Sequence, residues 1–266
     1  TLINGGVIDS PVPAAGNNSS ILNVGAIVTQ SGAAITGGAG AQDVENHGVI
    51  ASGSGLAIDL GAGNDSLSLG QTARLGGEAE GGAGFDTLNL TGNGGVQLGL
   101  DSFTNFEMVN KEDSGLWLLS GTNNMAWNVR AGTLVLNGEL AGQGVVEQGG
   151  LFAGNGKVGS LTNAGTVAPG MSIGRIAVAG DFTQTSTGVL EVEGSMVTDF
   201  ADPLNVSGRA TLGGTLAVRP ESRPFGIATD ALGGSATFFS AAASLFCPVQ
   251  LVGVVGSDYP VDSLQF

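Results

Sequence analysis

The sequence predicts an all-β protein, a right-handed parallel β-helix, and three observations lead to this prediction. Short β-branched triplets separated by Gly, Asn, Pro and Thr turns recur along the chain, most clearly in residues 165–193. Glycine supplies 48 of the 266 residues without a collagen period, which is typical of a fold that turns every few residues. No helical pattern separates the triplets, so they cannot build a doubly wound sheet. They can instead stack as turns of a solenoid.

Residues 1–60 predict the first turns of this solenoid. Residues 2–8, 23–28 and 46–50 each combine a turn residue, a glycine and a short apolar strand. Asn and Gly tolerate the left-handed backbone that a tight corner needs. Asparagines stacked in successive turns can also form a hydrogen-bonded ladder. The repeat is irregular but close to about 20 residues, within the range of solenoid proteins.

Two segments resemble the passenger domains of bacterial autotransporters. Residues 165–174, GTVAPGMSIG, are similar to the G-T-V-x-P-G-x-S-I-G turn that recurs near the membrane-proximal end of these passengers. Residues 114–140 are similar to the autotransporter-associated β-strand repeat, G-x-W-x-L-S-G-x-N followed by G-T-L-x-L-x-G. Together the motifs cover about residues 45–220. Trp117 and Trp127 lie at strand positions, where we expect core residues rather than platforms for sugar rings.

The resemblance implies a non-catalytic, secreted stalk that is displayed on the bacterial cell surface for adhesion to host or neighbouring cells. Its precursor would carry an outer-membrane barrel and would be exported through the periplasm. Residues 115–218 would fold first outside the cell and template the turns that precede them. The sequence begins without Met and without a signal peptide, so a fragment or a processed product is expected. No cysteine precedes Cys247, which fits a chain that stays unfolded during export.

The charge balance excludes two classes of partner. There are 8 Lys and Arg residues against 23 Asp and Glu residues, a net charge of −15. This field repels nucleic acids and anionic membrane surfaces, so neither is expected to bind. No apolar run is long enough to span a bilayer, so membrane insertion of this chain is not expected either.

Two segments resemble the calcium-binding nonapeptide of RTX proteins, G-G-x-G-x-D-x-L. They are residues 60–67 (LGAGNDSL) and residues 81–88 (GGAGFDTL), and their carboxylates are Asp65 and Asp86. In that family the freed carbonyls and the Asp complete an oxygen shell around the ion. A calcium roll repeats about every nine residues, whereas Asp65 and Asp86 are 21 residues apart, or about one solenoid turn. A stacked turn ladder is therefore favoured, with calcium at these two residues as the alternative and no other cofactor expected.

Few residues could carry catalysis, and no enzymatic activity is predicted. His47 is the lone histidine and lies in a corner pattern, so any catalytic triad would have to be built around it. Asp59, with Asp65 and Asp86, could line one face, as in polysaccharide-cleaving β-helices. Residues 154–157, GNGK, lack the first glycine and the Ser or Thr of a phosphate-binding loop. The alternatives that remain are a polysaccharide-active β-helix and a passenger whose catalytic domain lay upstream.

A short α/β tail follows the solenoid pattern. Residues 231–246 place apolar side chains on one helical face, and residues 249–256 predict a buried strand. We therefore expect two domains, a passenger-like solenoid at 1–222 and a different segment at 223–266.

The tail resembles the beginning of a ribokinase-like (phosphofructokinase-B type) sugar kinase. The resemblance implies that Gly233 and Gly234 are a remnant of its sugar-binding site. Phe238 stands where the family usually has Asn, and the G-A-G-D motif that holds the catalytic base is absent. A partial sugar kinase is accordingly the least favoured function, and no kinase activity is implied.

Overall fold

The chain winds into a parallel β-solenoid, which confirms the fold class predicted from the sequence. The structure is a computed structural model, and it describes residues 1–14, 18–170, 174–194 and 203–220. The domain boundary at 222, the α/β tail, and Gly233 and Gly234 within it lie outside the described residues. The strand pairs are parallel, and each turn of the chain adds strands beside those of the turn before.

Three sheets form the faces of the solenoid. The first sheet has eleven strands: β1 Leu2–Asn4, β4 Asn18–Asn23, β7 Ala41–Asn46, β9 Ser66–Leu69, β11 Thr87–Leu90, β14 Met108–Lys111, β16 Ala126–Val129, β18 Gly144–Val146, β21 Leu161–Asn163, β24 Phe182–Gln184 and β27 Ala210–Thr211. The second sheet has seven strands: β2 Val7–Asp9, β3 Val12–Ala14, β5 Ala26–Thr29, β6 Ile35–Gly38, β8 Val49–Gly61, β10 Arg74–Glu80 and β13 Phe103–Thr104. The third sheet has ten strands: β12 Gly95–Gly99, β15 Leu116–Asn123, β17 Gly132–Leu140, β19 Gly150–Gly154, β20 Lys157–Val158, β22 Thr166–Pro169, β23 Ile176–Val178, β25 Val189–Gly194, β26 Leu204–Val206 and β28 Thr215–Pro220. A short 3₁₀ helix, Leu100–Ser102, precedes β13.

Alternate side chains of the first sheet point into the solenoid and stack in two columns along its axis. Strand side chains alternate between faces, so residues two apart on one strand occupy the two columns. The apolar column continues through most turns in large buried side chains: Ile21, Val44, Leu67, Leu88, Val109, Trp127, Leu161 and Phe182. Each of these residues is covered by its neighbours in the adjacent turns, so the hydrophobic core extends along the axis of the solenoid.

The second column begins with the predicted asparagine ladder. The Asn4 amide donates to Asn23 Oδ1, and the Asn23 amide donates to Asn46 Oδ1, both at 2.8 Å. The same amides also donate at 3.0 Å to the carbonyls of Ala26 and Val49, which follow the corner in the next turn. The ladder therefore satisfies buried backbone groups at the bend, which explains the recurrent Asn-x-Gly pattern.

The two tryptophans are core residues, as predicted, because Trp117 and Trp127 are 1% and 0% exposed. The Trp127 ring lies 4.5 Å from the ring of Phe152, measured between centroids, at an angle of 39°. Gly144 occupies the same column position as Trp127 in the next turn. A Cβ atom at Gly144 would overlap the indole, so the glycine provides the volume that the tryptophan fills.

The solenoid wall is interrupted between its fourth and fifth turns. Strand β10 pairs with β8 on one side, and on the other side only its end, at Ala79 and Glu80, pairs with β13. Strand β12 pairs only with β15, in the turn that follows. The beginning of β10 and the whole of β12 therefore face each other without forming a ladder, while the first sheet runs on without interruption.

Candidate functional site

Asp65 and Asp86 stack in adjacent turns at the entrance of the first sheet. The Gln42 N–H donates to Asp65 Oδ1 at 2.6 Å, and the Asp65 N–H donates to Asp86 Oδ1 at 2.7 Å. The Asp86 N–H donates in turn to Glu107 Oε2, also at 2.7 Å. Each carboxylate thus holds the backbone of the preceding turn, and the stacking expected from the 21-residue separation is present.

Both aspartates lie inside the solenoid rather than on its surface. Asp65 is 2% exposed and Asp86 is 0% exposed, and the second carboxylate oxygen of each has no hydrogen-bond partner. Burial raises the pKa of Asp65, an effect that the hydrogen bond from the Gln42 N–H partly offsets. Burial also raises the pKa of Asp86; the hydrogen bond from the Asp65 N–H partly offsets this effect, and the negative charges of Asp65 and Glu107 add to it. Both carboxyl groups therefore take up a proton more readily than an ordinary aspartate, because burial removes solvent from the charged form.

Calcium at Asp65 and Asp86 stays a prediction. One oxygen of each carboxylate already accepts a backbone N–H, which is the arrangement of a structural ladder. Within the described part of the chain, no group of three or more His, Cys, Asp or Glu side chains is arranged to hold a metal ion. The backbone ladder accounts for one carboxylate oxygen of each aspartate, and the other oxygen of each has no hydrogen-bond partner among the described residues.

Lys111 is a buried cation that the sequence analysis missed. It is 0% exposed and occupies the column position that Asn4, Asn23 and Asn46 occupy in earlier turns. Its ammonium donates to the carbonyl of Asp113 and, at 3.2 Å, to that of Ala131. Burial lowers the pKa of Lys111, and the nearby acidic residues oppose this decrease.

The remaining candidates do not converge on one site. Asp59 lies on the second sheet, paired in register with Glu80, and is separated from the buried aspartates by the corner. The hypothesis that Asp59, Asp65 and Asp86 line one face is therefore wrong, because Asp65 and Asp86 point inward. His47 pairs with Glu45 of its own turn at 2.7 Å.

Lys157, at the end of the GNGK segment, forms an ion pair with Glu139 at 2.8 Å. The two residues occupy matching positions in neighbouring strands, β20 and β17. The lysine is therefore engaged in a cross-strand pair of the kind that stabilises a sheet surface.

A cleft of about 410 Å³ opens where the wall is interrupted. Its sides are the unpaired edges of β10 and β12, and its floor reaches Leu69, Phe103 and Trp117. Sequence reasoning missed it because the fourth and fifth turns are equally long, 21 residues each, and differ only in how the chain divides between the second and third sheets. One signal was available. The chain takes five residues from Arg74 to Ala79 in the fourth turn, but eight from Gly95 to the matching position, Phe103, in the fifth.

The fold places the chain among the parallel β-solenoid proteins. Comparison with protein-family models, with curated proteins and with solved structures finds no match for this chain. In the described residues, no helix combines the length and the hydropathy that crossing a bilayer requires.

Proposed function

We propose that this chain is the stalk of a secreted passenger of the autotransporter type, a non-catalytic scaffold that projects from the bacterial surface. The observation that supports this best is the unbroken first sheet, whose eleven parallel strands run from Leu2 to Thr211. With adjacent strands about 4.8 Å apart, the sheet extends for about 50 Å along its axis. Such a rod separates its two ends by a fixed distance.

The solenoid also suits a chain that must fold as it emerges. Each turn contacts chiefly its two neighbours, so a folded turn offers a template for the next one. In autotransporter-type export the C-terminal turns emerge first. Folding of residues 115–218 outside the cell would then draw out the remaining chain and oppose its return.

The proposal is tested by fusing the chain between a secretory signal and an autotransporter barrel in a Gram-negative host. Surface display is measured as accessibility of an N-terminal epitope tag on intact cells. We expect the wild-type chain to be displayed and to resist added protease. Retention of the wild-type chain in the periplasm would contradict the proposal.

Two matched variants test the order of folding. Val167 and Ile27 are both 0% exposed, and an aspartate at either position would place an unpaired charge in the core. Val167→Asp, in a C-terminal turn, should abolish display. Ile27→Asp, in an N-terminal turn, should leave the C-terminal turns displayed and only the N-terminal turns sensitive to protease. Equal loss of display in both variants would contradict folding from the C-terminal end.

A further inference from the structure

The cleft between β10 and β12 has the features of a site for an additional strand. The cleft is lined by residues 74–77 of β10 and residues 95–99 of β12. No described strand pairs with either of these edges on the side that faces the cleft. The two edges present main-chain donors and acceptors toward the same space. Exposed edges of this kind bind extended peptides by completing the ladder.

The glycines show on which side the space lies. A Cβ at Gly76 would come within 2.7 Å of the Ala51 Cβ, so β10 packs tightly against β8. A Cβ at Gly95 or Gly99 would meet no atom within 4 Å. The fourth turn therefore packs closely on the third, and the gap lies on its other side, where β10 and β12 form no ladder.

The apolar side chains beside the gap are less buried than those in the neighbouring turns. Ile27 and Ile50 are 0% exposed, whereas Leu75, the next residue in their column, is only half-buried. Val96 and Leu98, across the gap, are likewise half-buried, although their partners in β15 are buried. Half-buried apolar side chains thus lie at alternate positions along the cleft. An inserted strand would cover them if its own alternate side chains were apolar.

Arg74 supplies a charge at the edge of the same cleft. It is exposed, and among the residues that the structure describes no carboxylate lies within 4 Å of its guanidinium. Its side chain donates a hydrogen bond at 2.9 Å to the carbonyl of the preceding residue, Ala73. In a chain with a net charge of −15, an arginine without an acidic partner beside open strand edges favours an acidic ligand.

We propose that this cleft binds an extended peptide segment of a partner protein, which adds a strand between β10 and β12. The segment carries apolar side chains at alternate positions and an acidic side chain that pairs with Arg74. An extended stretch of about four residues, about 13 Å long, matches the edge of β10. A sugar chain fits less well, because the Trp117 ring in the floor is 1% exposed and offers no stacking face. The inference does not depend on secretion.

The test uses the purified full chain and a fluorescein-labelled peptide, Ser-Thr-Val-Glu-Val-Thr-Val-Ser, followed by fluorescence polarisation. We expect saturable binding that is lost when alternate backbone nitrogens of the peptide are methylated, because strand pairing needs those N–H groups. No saturable binding up to about 1 mM would overturn the proposal, as would binding that survives methylation. Binding of an acidic oligogalacturonate in the cleft in place of the peptide would also overturn it.

Three variants locate the site. Arg74→Glu should weaken binding of this peptide by about tenfold. The same variant should bind a peptide with Lys in place of Glu as tightly as the wild type binds the original peptide. Gly99→Trp, which fills open space at an ordinary φ of −89°, should abolish binding while the melting temperature is retained. Arg209→Glu makes the same charge change at an exposed site outside the cleft and should leave binding unchanged. Equal weakening by Arg74→Glu and Arg209→Glu would show attraction by net charge alone and overturn the proposal.

Discussion

At the scale of single residues, this fold depends on what each side chain meets in the turns above and below. Asp65, Asp86 and Lys111 are ionisable residues that the solenoid buries, each bonded to backbone of an adjacent turn. The sequence predicted the stacking of the aspartates from their separation. It did not predict the burial of Lys111, because a lone lysine at the end of a strand has the same local pattern as an exposed one.

Gly144 leaves room for the side chain of Trp127 in the adjacent turn. Gly144→Ala would push a methyl group into the Trp127 indole, and we expect a loss of about 1–3 kcal/mol of unfolding free energy from overpacking. Gly95→Ala is the matched control, since Gly95 is also a strand glycine without a left-handed φ and its Cβ would meet open space. Urea denaturation of the two variants and the wild type measures the effect. Equal midpoints for the two variants would contradict the role of Gly144.

The buried aspartates predict a dependence of stability on pH. Because burial raises the pKa of Asp65 and Asp86 in the folded state, protonation favours folding. Their contribution to stability is complete below the ordinary value of 3.8 and is lost as the pH rises through the raised values. The double variant Asp65→Asn/Asp86→Asn keeps the Oδ1 acceptors without the charge.

Thermal denaturation at several pH values measures this effect. We expect the double variant to melt close to the wild type in acid and increasingly above it toward neutral pH. Asp59→Asn removes one carboxylate from the second sheet, against two in the double variant, and shows how much each lost charge contributes by itself. A constant difference between the double variant and the wild type across the pH range would contradict this account.

At the scale of elements, the corners after several strands of the first sheet share one requirement, a side-chain donor for the carbonyls of the next turn. Asn4 and Asn23 meet it in the first turns, and Asn163 and Gln184 meet it in later turns, the last by donating to Gly213 and Thr215. The ladder at the first corners was predictable because Asn-x-Gly repeats there. The same pattern recurs at Asn163, which is followed by Ala164 and Gly165, whereas Gln184 shares the chemistry of the ladder without its sequence pattern.

Lys111 tests this interpretation of the column. Lys111→Met leaves the carbonyls of Asp113 and Ala131 without their donor, and we expect a loss of about 1–3 kcal/mol. Lys111→Gln keeps a donor of the kind that Gln184 provides and should recover part of that stability. Thermal melts of the two variants give the comparison. A Lys111→Met protein at least as stable as the wild type would mean that the cost of burying the charge exceeds the value of its hydrogen bonds.

At the scale of the whole molecule, the described turns keep continuous neighbour contacts along the first sheet, whereas the wall is interrupted between β10 and β12. The repeat period and the turn residues were sufficient to predict the fold, because every turn obeys the same local pattern. The cleft was not predictable from any single turn, since it arises where the beginning of β10 in the second sheet and β12 in the third lie in adjacent turns without forming a ladder. Features of this kind depend on how the path of the chain in one turn differs from its path in the next, since the two turns beside the cleft are equally long.

The distribution of stability along the axis gives the last prediction. If residues 115–218 nucleate folding, that fragment alone should show β-rich circular dichroism and resist protease, whereas a fragment of residues 1–100 should not. The physical reason is that a solenoid turn gains most of its stability from its interface with a folded neighbour. The C-terminal fragment keeps the long ladder of eight paired residues between β15 and β17, while the N-terminal fragment ends at the interrupted wall. An N-terminal fragment as stable as the C-terminal one would show that either end can nucleate, and the templating order would then be wrong.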